Sequence, residues 1–119
     1  MSETGADFPR DCRLLKPAEY RSVFSNPVKS SDNYFTVLCR KSGRNSARLG
    51  LAVSKKNSRL AVARNRIKRV IRESFRHNKV TLGGIDYVVL SRMGANSANK
   101  QALFSSLERH WKKLRNKVD

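Results

Sequence analysis

Basic side chains are the residues of this 119-residue sequence whose type and spacing point to chemistry. Six basic residues and one acid, Glu73, fall within positions 64–76. An arginine guanidinium can donate two parallel hydrogen bonds to one phosphate, and an asparagine among arginines adds a neutral donor and acceptor. The pattern therefore predicts a phosphate-binding helix face, and its main contributors are Arg64, Asn65, Arg66, Arg69 and Arg72.

Acidic residues, which metal-dependent hydrolysis requires, are few and scattered. The 9 Asp and Glu residues form no Asp-x-Asp or His-Glu-x-x-His pattern, and the sequence has no glycine-rich nucleotide loop. The two histidines, His77 and His110, fall near the polar sides of two predicted helices, and we interpret both as solvated surface residues. We therefore expect the chain to bind an anion and to contribute no catalytic residue and no firm metal site.

The charge balance makes a polyanion the expected partner. The 26 Lys and Arg residues exceed the 9 Asp and Glu residues by 17, and the isoelectric point is about 11.0. Nucleic acid and an anionic membrane surface both fit such a charge. A membrane-lying helix leaves bulky apolar residues exposed, whereas the core needs the apolar stripe of this basic helix. Nucleic acid is therefore favoured over a membrane or a small-molecule substrate.

Length and cysteine usage limit the class of protein further. A chain of 13.5 kDa has room for one domain that buries roughly two-thirds of its surface, which excludes a two-lobed enzyme. We find no apolar window of about 18 residues and no signal peptide. Cys12 and Cys39 have no Cys-x-x-Cys spacing, so we interpret them as buried or incidental thiols of a reducing, cytoplasmic location.

Two aromatic residues lie one turn apart on the first predicted helix. Pro17 suits a first helical position, Tyr20 and Phe24 follow at helical spacing, and Asn26-Pro27 ends the helix. Both aromatic rings fit a place in the core. If they face the open side of a sheet instead, they form platforms on which unpaired bases stack.

Two apolar runs, Tyr34–Arg40 and Arg48–Ser54, predict a β-hairpin with one open face. Strand alternation places Tyr34 and Thr36 on that face, together with the small residues Gly50, Ala52 and Ser54. A face this open accommodates an extended ligand, although a merely solvated sheet face fits the pattern equally well.

The basic helix carries an apolar stripe beside its charges. Ser58 is the predicted N-cap and Asn78 the predicted end, and the basic row next to the stripe consists of Arg64, Lys68 and Arg72.

Two further elements complete the predicted fold. The run Ile85–Arg92 is almost continuously apolar and predicts a central strand, and the last helix spaces Leu103, Leu107, Trp111 and Leu114 on one side. The order α-β-β-α-β-α indicates an α/β fold, an α+β two-layer sandwich. We expect residues 13–117 to form a single RNA-binding domain after a flexible arm of residues 1–12.

Two segments resemble the protein subunit of bacterial ribonuclease P. They are Leu49–Lys56, a strand that ends in Ser-Lys-Lys, and Ala63–Arg76, which contains Arg-Asn-Arg. The opening Phe8-Pro9-Arg10 and the final Trp-Lys-Lys helix also fit, so the resemblance covers nearly the whole chain. Residues 57–62 depart from the Gly-Asn-Ala-Val sequence of many members, which affects the loop before the helix.

The resemblance implies a protein cofactor of a ribozyme endonuclease. In this family a large RNA uses Mg²⁺ to cut the 5′ leader from precursor tRNA, and the protein alone is not catalytic. Asn65 is implied as a candidate neighbour of a bound metal ion. The implied contacts of the catalytic RNA are Arg64, Asn65, Arg66, Lys68, Arg69 and Arg72. The implied contacts of the single-stranded leader are Tyr20, Phe24, Tyr34, Thr36, Ser54, Lys55 and Lys56.

The resemblance also implies a fold similar to the ribosomal protein S5 domain 2-like fold. That fold has a left-handed strand-helix-strand crossover, whereas general rules predict a right-handed one. The alternative to this function is a structural ribosomal or other RNA-binding protein with the same α/β fold and no role in cleavage. A self-sufficient nuclease is the third class, and the scattered acids argue against it.

Overall fold

The computed structural model of the chain describes residues 13–78 and 81–118. The predicted arm of residues 1–12, and Cys12 with it, lies outside this part. Three helices and four strands follow one another as α1 (Pro17–Phe24), β1 (Val28–Ser31), β2 (Phe35–Lys41), β3 (Arg48–Ala52), α2 (Ala61–Asn78), β4 (Ile85–Ser91) and α3 (Lys100–Val118), with a 3-10 turn at Met93–Asn96. The predicted mixed α/β class is confirmed, with one strand more than expected.

The additional strand is β1, which the sequence pattern did not reveal. It has only four residues, and three of them, Lys29, Ser30 and Ser31, are polar. β1 pairs antiparallel with β2, so that Ser30 lies opposite Val37. Such a short polar edge strand has no apolar alternation that identifies it in a sequence.

The predicted hairpin between β2 and β3 is wrong, because β4 lies between them. The sheet order is β1-β2-β4-β3, with β4 antiparallel to β2 and parallel to β3. A strand with apolar side chains on both faces loses most water exposure at the centre of a sheet. The central position predicted for Ile85–Arg92 is therefore confirmed, and α2 connects two adjacent parallel strands.

Helices α2 and α3 cover one face of the sheet and form the main core with it. Phe75 from α2, Tyr87 from β4 and Trp111 from α3 pack edge to face, with ring centroids 5.2 to 6.4 Å apart. The indole N–H of Trp111 donates to Ser74 Oγ over 2.9 Å. The predicted apolar positions of α3 are all buried here: Leu103, Leu107, Trp111 and Leu114.

Helix α1 covers part of the opposite sheet face. A second, smaller apolar cluster forms there from Leu14, Val23, Leu38 and Val88. Cys39 points the other way and is fully buried in the main core. Burial raises the pKa of its thiol to about 12, so this cysteine is an inert core residue, as predicted.

Two sequence interpretations are wrong in detail. Ser58 is not the N-cap, because α2 begins three residues later at Ala61 and the Ser58 side chain is buried. His110 is not a solvated residue, since only 4% of it is exposed. Its Nδ1 lies 2.7 Å from Ser30 Oγ on the unforeseen strand β1.

None of the helices in residues 13–78 and 81–118 has the length and apolar character that a membrane-spanning helix requires.

Candidate nucleic-acid interface

The exposed side of α2 carries a row of polar side chains that we call the α2 ridge, formed by Asn65, Lys68, Arg69 and Arg72. The ridge lies on the helix side opposite the buried Ile67 and Val70. Within the described part of the chain, no hydrogen bond or ion pair occupies these four side chains. Their donors therefore face solvent and can reach a ligand such as a phosphate.

Arg64 and Arg66 belong to the predicted set but also hold the surrounding loops in place. The Arg64 Nη1 donates to the carbonyl oxygens of Ser58 and Arg59 over 2.9 and 3.0 Å. The Arg66 Nη2 lies 3.2 to 3.4 Å from three carbonyl oxygens after β4, those of Ala95, Asn96 and Ala98. These two guanidinium groups hold the loops beside the N-terminal end of the α2 ridge, a role that sequence spacing does not reveal.

The loop before α2 is tied to the end of β4 through Asn57. Its Nδ2 donates to the Ser91 carbonyl over 3.0 Å, and the amide of Asn96 donates back to the Asn57 carbonyl. Asn57 N–H also donates to Ser54 Oγ over 3.2 Å. These bonds keep Lys55 and Lys56 exposed beside the carboxyl ends of β3 and β4. Sequence reasoning missed Asn57, whose only signal was its place in the segment that departs from the family pattern.

The sheet face opposite α2 and α3 has an uncovered row beyond α1. Strand register aligns Ser31 with Thr36, Thr36 with Leu90, and Leu90 with Ala52. None of these four residues is buried, and the hydroxyls of Ser31 and Thr36 lie 3.0 Å apart. We call this row, together with α1 at its border, the open cleft.

The two aromatic residues of α1 border the open cleft in different ways. Tyr20 is partly buried against the second cluster, and its ring lies on the backbone of Gly50. A Cβ atom at Gly50 would be only 2.5 Å from Tyr20 Cε1, so only glycine allows this ring position. Phe24 is 47% exposed, so nearly half of the residue is accessible to solvent. The sequence left two alternatives for both rings, packing in the core or exposure at the open sheet face. Tyr20 is partly in the core, and Phe24 is exposed.

Tyr34 departs from the predicted placement on the open face. Strand β2 begins only at Phe35, so the alternation of β2 does not extend back to Tyr34. The Tyr34 side chain packs against the main core, and its N–H donates to Asp32 Oδ1 over 2.8 Å. The remaining residues of the predicted leader set lie at the open cleft or in the adjoining loop: Tyr20, Phe24, Thr36, Ser54, Lys55 and Lys56.

An ion-pair network docks α1 on the sheet. Arg48 on β3 donates to Asp86 on β4 through Nε and Nη2, over 2.9 and 2.7 Å. The same guanidinium donates to Glu19 on α1 over 2.8 Å. Backbone N–H groups of Lys16 and Leu15 also donate to Glu19 and, with Arg48, hold the pKa of its carboxyl below the ordinary value. The network positions the helix that carries Tyr20 and Phe24.

All five acids in the described ranges are engaged by neighbours. Glu19 and Asp86 bind Arg48, Asp32 accepts from Ser106, Glu73 lies 3.7 Å from Lys100, and Glu108 accepts from Asn78. Over these same ranges, no group of three or more Asp, Glu, His or Cys residues is arranged to hold a metal ion. The positive charge of the α2 ridge is thus left uncompensated within this part of the chain.

The chain matches known proteins over nearly its whole length. The family model for ribonuclease P matches residues 8–115. A ribonuclease P protein component of Methylococcus capsulatus is 51% identical over 107 residues, which cover 90% of this chain and 84% of that protein. The corresponding protein of Pseudomonas aeruginosa is 45% identical over 109 residues, covering 91% and 81%.

A solved structure shows the same fold. The RNase P protein of Staphylococcus aureus superposes with a TM-score of 0.79 at 30% identity, covering 91% of this chain and 98% of that one. The chain therefore belongs to the ribonuclease P protein component family. It is a subunit of an endoribonuclease whose RNA subunit is its partner, and a ribosomal role without cleavage is not favoured.

Proposed function

Because the chain belongs to this family, we propose that it binds two RNAs on two separate surfaces and so promotes removal of the 5′ leader from precursor tRNA. The α2 ridge binds the catalytic RNA, and the open cleft binds the single-stranded leader. The observation that carries this proposal is the ridge itself, where Lys68, Arg69 and Arg72 are free of intramolecular partners in the described structure.

Phosphate neutralisation is the proposed chemistry of the α2 ridge. Arginine side chains one helical turn apart contact successive phosphates, and each contact releases counterions from the RNA. Arg64 and Arg66 contribute mainly by holding the loops at either side of the ridge, because their donors already reach backbone carbonyls. Asn65 adds an exposed amide between them.

Base stacking and phosphate contacts are the proposed chemistry of the open cleft. Phe24 offers an exposed ring on which an unpaired base stacks, and Tyr20 closes the side of the cleft. Thr36 and Ser54 supply hydroxyls, while Lys55 and Lys56 lie exposed at the end where β3 leaves the sheet. We leave Tyr34 out of the leader site because it packs against the main core.

The residues around Asn65 do not fit a magnesium site. Mg²⁺ requires several oxygen ligands and a negative environment. Asn65 offers one amide oxygen, and its neighbours on α2 are the cations Arg64, Arg66 and Arg69. We therefore assign the Mg²⁺ of the reaction to the RNA subunit and give this chain no step that uses a metal.

The proposed setting of this activity is the cytoplasm, where precursor tRNA is made in bacteria. We propose residues 13–117 as one RNA-binding domain, since the two apolar clusters pack against a single four-stranded sheet.

Reconstitution tests the proposed function directly. The protein is added to a ribonuclease P RNA at low Mg²⁺, and 5′ processing of precursor tRNA is measured. We expect the protein to restore processing, and the variant with Arg69→Gln and Arg72→Gln to restore much less at equal protein concentration. If the protein changes neither rate nor substrate affinity, the proposal is wrong. Robust cleavage by the protein without RNA would also contradict it.

A further inference from the structure

We propose that the C-terminal half of α3 is a second phosphate-binding surface for the catalytic RNA, which extends the proposed function to a helix that it does not use. We call this surface the α3 patch. It consists of five basic residues: Arg109, Lys112, Lys113, Arg115 and Lys117.

The charges of the α3 patch are largely uncompensated. The last acid of the described chain is Glu108, and Asn78 Nδ2 donates to it over 2.6 Å. Arg109 lies 3.7 Å from Asp32 and is still 66% exposed. Across residues 13–78 and 81–118, no hydrogen bond or ion pair involves the side chains of Lys112, Lys113, Arg115 or Lys117.

A cavity gives part of the α3 patch a concave shape. It has a volume of about 260 Å³ and opens between α3 and the end of α2, lined by Asn78, Glu108, Arg109, Trp111, Lys112 and Arg115. Trp111 is almost fully buried and bonded to Ser74, so it fixes this part of α3. Three cations and one acid, Glu108, therefore line a recess whose net charge is positive, which suits a phosphate group.

Helix electrostatics alone do not account for so many cations. Arg109 and Lys113, and Lys113 and Lys117, lie four residues apart, a spacing at which like charges destabilise a helix. The helix dipole favours cations only in the last turn before Val118, and Arg109 and Lys112 precede that turn. A bound polyanion removes the repulsion along the whole patch.

The position of the α3 patch selects the catalytic RNA over the leader. The ring of His110 reaches Ser30 from the helix-covered side of the sheet, so α3 lies in the same layer as α2. The open cleft is on the opposite sheet face, bordered by α1. A large RNA bound at the α2 ridge can therefore extend to the α3 patch without passing to the opposite sheet face, where the leader is proposed to bind.

The test measures binding of the full-length protein to ribonuclease P RNA without precursor tRNA, over a series of salt concentrations. The patch variant carries Lys112→Gln and Arg115→Gln. The control carries Arg21→Gln and Lys29→Gln, which removes one exposed Arg and one exposed Lys from the opposite face. Loss of two phosphate contacts should weaken Kd by up to about 60-fold at 0.1 M salt and lower the salt slope by roughly 1.8 log-log units.

Additional measurements separate loss of phosphate contacts from loss of structure. Thermal unfolding of both variants establishes that they are folded, and the exchange Lys112→Arg with Arg115→Lys should retain the salt slope. If the patch variant matches the control in Kd and slope, the inference is wrong. If it weakens only binding of precursor tRNA to the holoenzyme, the assignment to the catalytic RNA is wrong.

The α2 variant separates this inference from the proposed function. The variant with Arg69→Gln and Arg72→Gln is measured in the same assay. If this variant loses affinity for the RNA and the patch variant does not, only the inference about the α3 patch is wrong. When neither variant loses affinity, the proposed use of the α2 ridge fails as well.

Discussion

At the residue scale, the two aromatic residues of α1 show how one helical turn separates two roles. The Tyr20 ring packs against Gly50 and contributes to the second apolar cluster. Phe24, four residues later, is 47% exposed and contributes little to the core. An exposed ring beside an open sheet face is free to stack on a base, because it gains area by doing so. We therefore assign base stacking mainly to Phe24.

The first prediction concerns Phe24→Ala. The substitution should weaken holoenzyme affinity for precursor tRNA with a leader by about 1 to 3 kcal/mol, because a stacked base loses its platform. Affinity for mature tRNA should hardly change. Leu15→Ala, which shortens a side chain of nearly equal exposure at 48%, is the control. Equal losses for both tRNAs would show that Phe24 does not contact the leader.

The second prediction concerns Gly50→Ala, which adds a methyl group under the Tyr20 ring. The new Cβ would lie 2.5 Å from Tyr20 Cε1, so the ring must swing away from the sheet. We expect a stability cost of about 1 kcal/mol, since the ring can move, and a loss of leader affinity. In a double-mutant cycle, Gly50→Ala should have almost no further effect in the Tyr20→Ala background. If the losses caused by Gly50→Ala and Tyr20→Ala add fully in the double variant, the proposed contact between Tyr20 and Gly50 is contradicted.

At the element scale, two polar networks fasten helices to the sheet. Arg48 joins β3, β4 and α1, and the side chains that it binds are mostly buried, with 7% exposure for Asp86 and 25% for Glu19. On the other face, Asp32 and Ser30 hold α3 through Ser106 and His110. Both networks join segments far apart in the sequence. The Arg48 network fixes the position of α1, and the Asp32 and Ser30 contacts fix the position of α3.

The third prediction concerns Arg48→Met, which keeps the length of the side chain and removes its charge. Asp86 then remains buried without a partner, and we expect a loss of about 3 kcal/mol in the free energy of unfolding. Arg48→Lys should recover only part of it, because an ammonium group cannot make the paired contact to Asp86. Chemical denaturation measures both. A loss below that of an exposed variant such as Arg21→Gln would show that the network does not stabilise α1.

The fourth prediction concerns the acid sensitivity of the contact between α3 and the β1–β2 turn. Burial lowers the pKa of His110 below 6.5. Asp32 raises this pKa only in part, and the positive charges of Arg109 and Lys113 lower it further. Burial alone would raise the pKa of Asp32, but hydrogen bonds from Ser106 and two backbone N–H groups bring it below 3.8.

Both shifts act in the same direction as the solution is acidified. The unfolded chain takes up a proton on His110 near pH 6.5 while the folded chain resists it, so stability falls as the pH drops from there. The Asp32 contribution is lost below about pH 3.8. His110→Gln should flatten the fall in unfolding free energy as the pH drops below 6.5, as followed by denaturation. The exposed His77→Gln is the control, and an equal effect of both substitutions would refute the assignment.

At the scale of the whole molecule, the charge of +17 is distributed over two layers with different tasks. The helix layer presents the α2 ridge and the α3 patch, and the opposite sheet face presents the open cleft with Lys55 and Lys56 at its end. If the proposed function is right, this arrangement lets one small domain contact the catalytic RNA and the precursor tRNA on different faces.

The fifth prediction concerns the salt dependence of binding to the catalytic RNA. Lys68→Gln, Arg69→Gln and Arg72→Gln should each lower the log-log slope by about 0.7 to 0.9, because each removes one phosphate contact. Arg64→Gln should change the slope less and the melting temperature more, since its guanidinium holds the carbonyls of Ser58 and Arg59. An unchanged slope in all three ridge variants would contradict the assignment of the ridge.

Much of the local structure follows from residue patterns near each other in the chain. Helical spacing predicted all three helices, and the continuous apolar run of Ile85–Arg92 predicted a central strand. Composition predicted a polyanion partner, and the Arg-Asn-Arg segment with Ser-Lys-Lys identified the family. Helices and strands can be predicted in this way because each buries one face or both, and the spacing of apolar residues in the chain records which faces are buried.

Tertiary contacts alone decided which strands pair and which basic residues are free. Placing β4 between β2 and β3 satisfies apolar residues on both of its faces, and that gain appears only when the helices cover the sheet. Likewise, Arg66 and Arg69 look equivalent in the sequence, yet the carbonyls near the Arg66 guanidinium belong to Ala95, Asn96 and Ala98, 29 to 32 residues further along the chain. Side-chain hydrogen bonds to distant backbone have no periodicity. The basic stretch by itself therefore predicted a phosphate-binding helix face, and only the folded chain separates the positioning arginines from the free ones.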